Sequence, residues 1–153
     1  MPPTHTDCEI PVANVFISMP SSAPDDCREV SLEQFFADKV YSLRGRCYPC
    51  HFDNNFDPEN PAPRWIATGD CAVGSLKTLR EVLRAGYVDS DRLDDSLLLT
   101  KPLAESAGGV PHGGHDKFFT TADAGYQDFL DWLGRYQGCT APPDDPIKDT
   151  LTP

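Results

Sequence analysis

The sequence predicts an all-α, loop-rich fold with an extended N-terminal arm. Apolar side chains recur at helical spacing in three stretches, whereas residues 12–19 form a short alternating run typical of a strand or extended arm. The 15 prolines and 11 glycines indicate long irregular connections. Because 153 residues suit one domain with extensions, we expect an N-terminal extension at 1–30, a helical domain at 31–139 and an acidic, proline-rich tail at 140–153.

The first helix is predicted over residues 32–46. Ser31 and Gln34 resemble a capping box at its start. The apolar positions that follow at helical spacing are Leu32, Phe35, Phe36, Val40 and Leu43. This helix leads directly into a pair of closely spaced cysteines.

An irregular loop and a second helix are predicted next. Residues 52–70 are rich in Asn, Asp and Pro, which is typical of a loop that wraps a ligand or faces solvent, and we expect Trp65 to pack against the ligand. The second helix is expected to be capped by Ser75 and stopped by Gly86. A short helical turn is expected at 95–100.

The last third of the chain predicts a glycine-rich loop and a closing helix. Residues 101–120 contain Gly108-Gly109 and His112-Gly113-Gly114-His115, which allow the backbone to approach a flat partner closely. Thr121 or Asp123 is expected to cap the last helix. Its apolar stripe is Tyr126, Phe129, Leu130 and Leu133, with Trp132 and Tyr136 flanking it.

The motif Cys47-Tyr48-Pro49-Cys50-His51 carries the strongest chemical signal. Two cysteines separated by two residues and followed directly by a histidine are the arrangement that attaches a c-type haem. Both thiols can reach the vinyl groups of one porphyrin while His51 turns toward the iron. The motif therefore predicts one haem c, covalently bound through Cys47 and Cys50 and ligated by His51.

Three other interpretations of this motif stay open. A thioredoxin-like redox pair should follow a strand and open a helix, whereas this motif ends a helical pattern. A zinc-stabilised interaction module would take its ligands from Cys47, Cys50, His112 and His115. A structural disulfide between the two cysteines is disfavoured because the short spacing strains the bridge.

The second axial position of such an iron has few candidate ligands. We predict His112, since Pro111 stiffens the chain before it, with His115 as the alternative. Met1 and Met19 lie in the N-terminal extension and are weaker candidates. An open position would instead make the protein a haem enzyme or gas sensor.

The motif and three further elements resemble one family. These elements are an apolar helix ending in Arg46-Cys-Tyr-Pro-Cys-His51, then Ser96-Leu-Leu-Leu-Thr-Lys-Pro102, His112-Gly-Gly, and a closing helix with Trp132. Together they resemble the cytochrome c-like domains of planctomycete and myxobacterial proteins, over residues 32–136. The resemblance implies a mono-haem, all-helical electron-transfer module. In this family's pattern a small residue stands where this chain has His115, and the additional cysteines are absent.

Two cations are candidates for contacts with the haem carboxylates. Lys101 could neutralise a propionate or simply face solvent, and Arg46, next to the motif, is a similar candidate. With imidazoles from His51 and His112 on the iron, no position is left for a substrate. We therefore expect a carrier of single electrons and not an enzyme.

The other four cysteines predict disulfides and an oxidising compartment. They are Cys8, Cys27, Cys71 and Cys139, which allow three connectivities; we favour Cys8 with Cys27 and Cys71 with Cys139, the alternative being free buried thiols. Disulfides and a covalent haem both indicate a periplasmic or extracellular protein. Since no apolar stretch appears, we expect that a signal peptide has been removed.

The net charge of −11 narrows the range of partners. Nucleic acids and anionic membrane surfaces would repel the chain, so we expect redox partner proteins with basic or neutral docking surfaces. The acidic stretches at 89–95 and 144–149 are expected to be solubilising faces or, less simply, a docking surface for a basic partner. The arm at 12–19 raises the hypothesis of a homo-oligomer or filament, with folding back on its own domain as the alternative.

Overall fold

The computed structural model describes residues 9–11, 27, 31–112 and 116–140. Within these residues the fold is all-α, as predicted. The α-helices are α1 (Ser31–Lys39), α2 (Cys71–Arg84), α3 (Leu97–Thr100) and α4 (Ala124–Thr140), and the 3-10 helices are Tyr41–Cys47, Leu93–Asp95 and Glu105–Ala107. No strand occurs in the described part of the chain, where extended pairing is limited to the isolated bridges Phe52 with Ile66 and Leu103 with Phe118.

The core lies where α1 packs against α2 and α4. Trp132 of α4 is fully buried, its Nε1 donates to the Leu32 carbonyl at 3.0 Å, and its ring meets the Phe36 ring edge to face at 5.1 Å. The sequence pattern placed Trp132 at the flank of the apolar stripe. It lies at the centre instead, because positions 129, 132, 133 and 136 share one helical face.

The first two helices differ from their predicted bounds. The predicted helix at 32–46 is α1 followed by the 3-10 helix Tyr41–Cys47. The second helix begins at Cys71 and not at Ser75, because the Asp70 side chain accepts from Val73 N and supplies the N-cap a turn earlier. Ser75 is buried inside α2.

The helices α1 and α4 run antiparallel. Lys39, at the end of α1, contacts Asp128 in the first part of α4 at 3.3 Å. At the opposite end, Cys27 precedes α1 and forms a disulfide with Cys139 near the end of α4, with a Cα–Cα distance of 5.7 Å. Both cysteines are buried, so this disulfide is part of the core.

The two favoured disulfide pairings were wrong. Cys27 pairs with Cys139, which excludes both Cys8 with Cys27 and Cys71 with Cys139. The antiparallel packing of α1 and α4 brings residues 27 and 139 together across the core, a proximity that sequence spacing does not reveal. Cys71 also forms a disulfide, while Cys8 is outside the described residues.

The described part of the N-terminal extension packs on its own domain. Ile10 is buried against Ala37 and Leu76, and its backbone N donates to Gln34 Oε1 at 2.8 Å. The strand or arm predicted at 12–19, including Met19, is outside the described residues, as are Met1 and all of the tail except Thr140.

Candidate functional site

A cavity of about 610 Å³ opens beside the cysteine and histidine motif. Its walls come from residues 47–51, from the loop at 57–65, from residues 97–102 in and after α3, and from His112. The volume falls within the range of about 300 to 1,000 Å³ typical of sites for small molecules and cofactors. The cavity therefore has the size of a ligand site and adjoins the residues that the sequence singled out.

Two free thiols lie on one wall of this cavity. The 3-10 helix Tyr41–Cys47 delivers the first, and the following turn delivers Cys50. Burial raises the pKa of Cys47 to about 11, although the positive charges of Lys117 and Arg46 act in the opposite direction. Since a helix and not a strand precedes the motif, the local structure differs from that of a thioredoxin-like pair.

His51 is oriented by the backbone of the loop that follows it. Its Nδ1 lies 2.8 Å from the Pro63 carbonyl oxygen, which can only accept a hydrogen bond. Nδ1 therefore carries the proton in the neutral ring and leaves Nε2 with a lone pair. Burial is the main cause of a lowered His51 pKa, opposed by the bond to Pro63 and reinforced by His112, Arg64 and Lys101.

The His112 ring lies in a stacked arrangement with the His51 ring. The two imidazole rings are nearly parallel, at 11°, with centroids 5.9 Å apart. Imidazole nitrogens are common ligands of haem iron, and a pair of thiols forms the covalent links of a c-type haem. The two thiols and two imidazoles at this cavity thus fit the donor set of a covalently attached haem.

The chain before His112 is held by contacts with the end of α3. Val110 N donates to the Thr100 carbonyl at 3.0 Å, and Lys101 Nζ donates to the Pro111 carbonyl at 3.3 Å. These contacts fix the backbone from which the imidazole projects. His115, the alternative ligand, is outside the described residues.

Three further residues were predicted to contact the haem; two of them line the cavity and one does not. Trp65 and Lys101 line the cavity, and the Trp65 ring centroid lies 5.7 Å from that of His51. Arg46 does not line it. Its guanidinium pairs with the Asp123 carboxylate at 2.9 Å and so joins the motif to the start of α4.

Tyr87 and Lys117 at the site were not predicted from the sequence, which also gave Arg64 no specific role. Tyr87 lines the cavity and packs edge to face against Trp65 at 5.9 Å; an aromatic residue directly after the helix-stopping Gly86 was a usable signal. Lys117 also lines the cavity, next to Phe118, which forms a bridge with Leu103. No local sequence pattern indicates this pairing. Arg64 donates hydrogen bonds to main-chain carbonyls of the loop behind His51, and the sequence does not indicate these contacts either.

No group of three or more His, Cys, Asp or Glu side chains suited to a metal ion occurs among the described residues, which leave out 113–115. A structural zinc site requires four such ligands, so the described residues alone do not form the zinc site that the sequence left open. A haem iron takes only two protein ligands, one from each side.

The chain matches no protein-family model, no curated protein and no solved structure. In the described part of the chain, no helix combines the length and the apolar character that crossing a membrane requires.

Proposed function

We propose that this chain is a mono-haem c-type cytochrome that transfers single electrons. The observation that supports the proposal most is the cavity that combines the thiols of Cys47 and Cys50 with the facing imidazoles of His51 and His112. The thiols suit thioether bonds, and the imidazoles suit axial ligation. When bound, a haem supplies the iron that alternates between ferric and ferrous states.

The cavity wall suits a porphyrin that stays in place while its iron changes oxidation state. Trp65, Leu98 and Phe129 line the cavity with apolar surface, which would limit the access of water to a bound iron. His51, with its proton held on Nδ1 by Pro63, offers Nε2 as a fixed ligand. If His51 and His112 both held the iron, no position would remain for a substrate, and this favours a carrier over an enzyme.

The surroundings of the site agree with a periplasmic or extracellular electron carrier of the cytochrome c-like family that the motifs resemble. The buried disulfide between Cys27 and Cys139 requires an oxidising compartment to form and persist. The net charge of −11 favours redox partners with basic or neutral docking surfaces. Self-assembly through residues 12–19 concerns a segment outside the described residues.

The proposed axial ligands can be tested with carbon monoxide. Wild-type protein, matured with haem, is expected to show a six-coordinate low-spin spectrum and to resist carbon monoxide, because both axial positions are filled. His112→Ala is expected to bind it readily and to lose the low-spin bands. His115→Ala is the matched control and should behave like the wild type.

Two outcomes would contradict this assignment. A low-spin spectrum that survives in His112→Ala but not in His115→Ala would assign the distal position to His115. Rapid binding of carbon monoxide by the wild type would indicate an open site, and with it a gas sensor or haem enzyme.

A further inference from the structure

Arg64 is the hydrogen-bonding centre of the loop behind the motif. Its guanidinium donates to five main-chain carbonyls, those of Cys50, Asn55, Asp57, Asn60 and Ala62. Four of the five N···O distances lie between 2.9 and 3.1 Å. A guanidinium has five N–H donors, so each donor of Arg64 has its own carbonyl acceptor.

This arrangement needs an arginine. The loop lacks regular secondary structure, and of the five carbonyls only that of Asp57 also accepts a main-chain hydrogen bond, from Asn60 N at 3.2 Å. The planar guanidinium presents its donors in a rigid fork, whereas a lysine ammonium has three donors at a single point. A lysine at position 64 would retain the charge but could not hold five carbonyls at once.

The carbonyls that Arg64 holds surround the contact that orients His51. The loop begins at Cys50, next to His51, and returns through Ala62 to Pro63, whose carbonyl accepts from His51 Nδ1 at 2.8 Å. Arg64 bonds the carbonyls of Cys50 and Ala62 and is itself the residue after Pro63. The position of the Pro63 carbonyl relative to the imidazole therefore depends on the Arg64 hydrogen bonds, together with the main-chain bond from Ile66 N to the His51 carbonyl at 2.9 Å.

We propose that Arg64 is a positioning residue that fixes the Pro63 carbonyl and thereby sets the orientation and ligand strength of His51 in the haem protein. This inference rests on the proposed function, which supplies the iron for His51 to bind. An acceptor held against Nδ1–H makes an imidazole a more basic ligand, and a more basic ligand stabilises ferric over ferrous iron. Loosening the loop is therefore expected to raise the reduction potential.

Arg64→Lys in the haem-loaded full chain tests this role, because the charge is retained and only the fork of donors is lost. We expect a shift of the reduction potential to more positive values, altered low-spin electron paramagnetic resonance g-values, and faster exchange of His51 Nδ1–H in the ferrous protein. Arg44→Lys is the matched control. Arg44 also donates to a main-chain carbonyl, but this is the carbonyl of Tyr41 at 2.9 Å, outside the loop that carries Pro63, and its substitution should leave all three readouts unchanged.

A reduction potential, g-values and exchange rate in Arg64→Lys equal to those of the wild type would overturn the proposal. A pyridine haemochrome assay on the same wild-type sample separates this outcome from failure of the proposed function, since it reports directly whether haem is attached. A second measurement needs no variant. In wild-type protein, Arg64 Nε–H should exchange with solvent at least tenfold more slowly than Nε–H of Arg92, whose side chain is 77% exposed and contacts Asp95 through Nη2, and equal exchange rates would also overturn the proposal.

Discussion

At the scale of single residues, the fold changes the acidity of the Cys47 thiol. Burial in the cavity wall raises the pKa of Cys47 from its ordinary value of 9.0 to about 11, with Lys117 and Arg46 only partly opposing this shift. The folded protein without haem therefore keeps this thiol protonated at neutral pH. Because the unfolded thiol titrates near 9.0, Cys47 contributes stability below that pH and loses it as the pH rises toward about 11.

The first residue-scale prediction concerns the reactivity of Cys47. In a Cys50→Ala variant without haem, alkylation of Cys47 at pH 8 should be about 100-fold slower in the folded chain than in urea, because a pKa about two units higher lowers the thiolate fraction by that factor. The rate should rise steeply toward pH 11. Equal rates in the folded and unfolded chain would show that the fold does not protect this sulfur.

The sequence identified the donor residues of the candidate site but not their supports. Cys47, Cys50 and His51 form one local motif, so their proximity follows from chain connectivity alone. His112 was found from its glycine-rich loop, and the structure brings its ring to His51. Arg64 could not be assigned a role, because its partners are main-chain carbonyls whose positions depend on how the loop folds.

At the scale of elements, the N-terminus of α4 is bound to the segment that carries the cysteine and histidine motif. The Asp123 carboxylate accepts from Gly125 N at 2.7 Å and pairs with Arg46 at 2.9 Å, so one side chain caps the helix and binds the residue before Cys47. The hydrogen bond from Arg46 lowers the pKa of Asp123. A depressed carboxylate pKa stabilises the fold above the unfolded value, and this contribution is lost as the pH falls through the folded value.

Asp123→Ala is predicted to lower the free energy of unfolding by about 1 to 2 kcal/mol, most of it from the lost cap and little from the exposed ion pair. Urea denaturation of the haem-loaded protein at neutral pH measures the change. Asp91→Ala removes the same charge from an exposed position and should change the free energy of unfolding by less than about 0.5 kcal/mol. Equal effects of the two substitutions would contradict a specific role for Asp123.

Helix identity was easier to predict than helix bounds. The apolar spacing of α1 and α4 indicated both helices, because burial against one core requires a continuous stripe. The start of α2 was placed five residues late, because Asp70 and Ser75 are both acceptable caps and only the fold shows which one is at the helix end. The two isolated bridges were not predicted, since each joins segments distant in sequence.

At the scale of the whole molecule, the disulfide between Cys27 and Cys139 spans 112 residues and encloses the entire site. Closing so long a loop restricts the unfolded chain strongly. The chain-entropy relation predicts a contribution of about 4 to 5 kcal/mol. Sequence spacing could not identify this pair, because the antiparallel arrangement of α1 and α4 brings the two cysteines together.

The prediction at the scale of the whole molecule is that removing this disulfide lowers the free energy of unfolding. Cys27→Ala, Cys139→Ala and the double variant should each lower the free energy of unfolding by about 4 kcal/mol, as measured by urea denaturation of the haem-loaded protein. The three losses should be similar, because either substitution alone breaks the bond. Losses that add up in the double variant would show that the cysteines contribute separately and not as a pair.

Covalent attachment of haem is the central claim, and intact-mass analysis of protein matured in an oxidising compartment with a c-type cytochrome assembly system tests it most directly. The wild type is predicted to carry one haem that survives acidic acetone extraction and gives a c-type pyridine haemochrome, whereas Cys47→Ala/Cys50→Ala should lose its haem on extraction. Wild-type protein recovered under the same conditions as bare polypeptide would contradict the account.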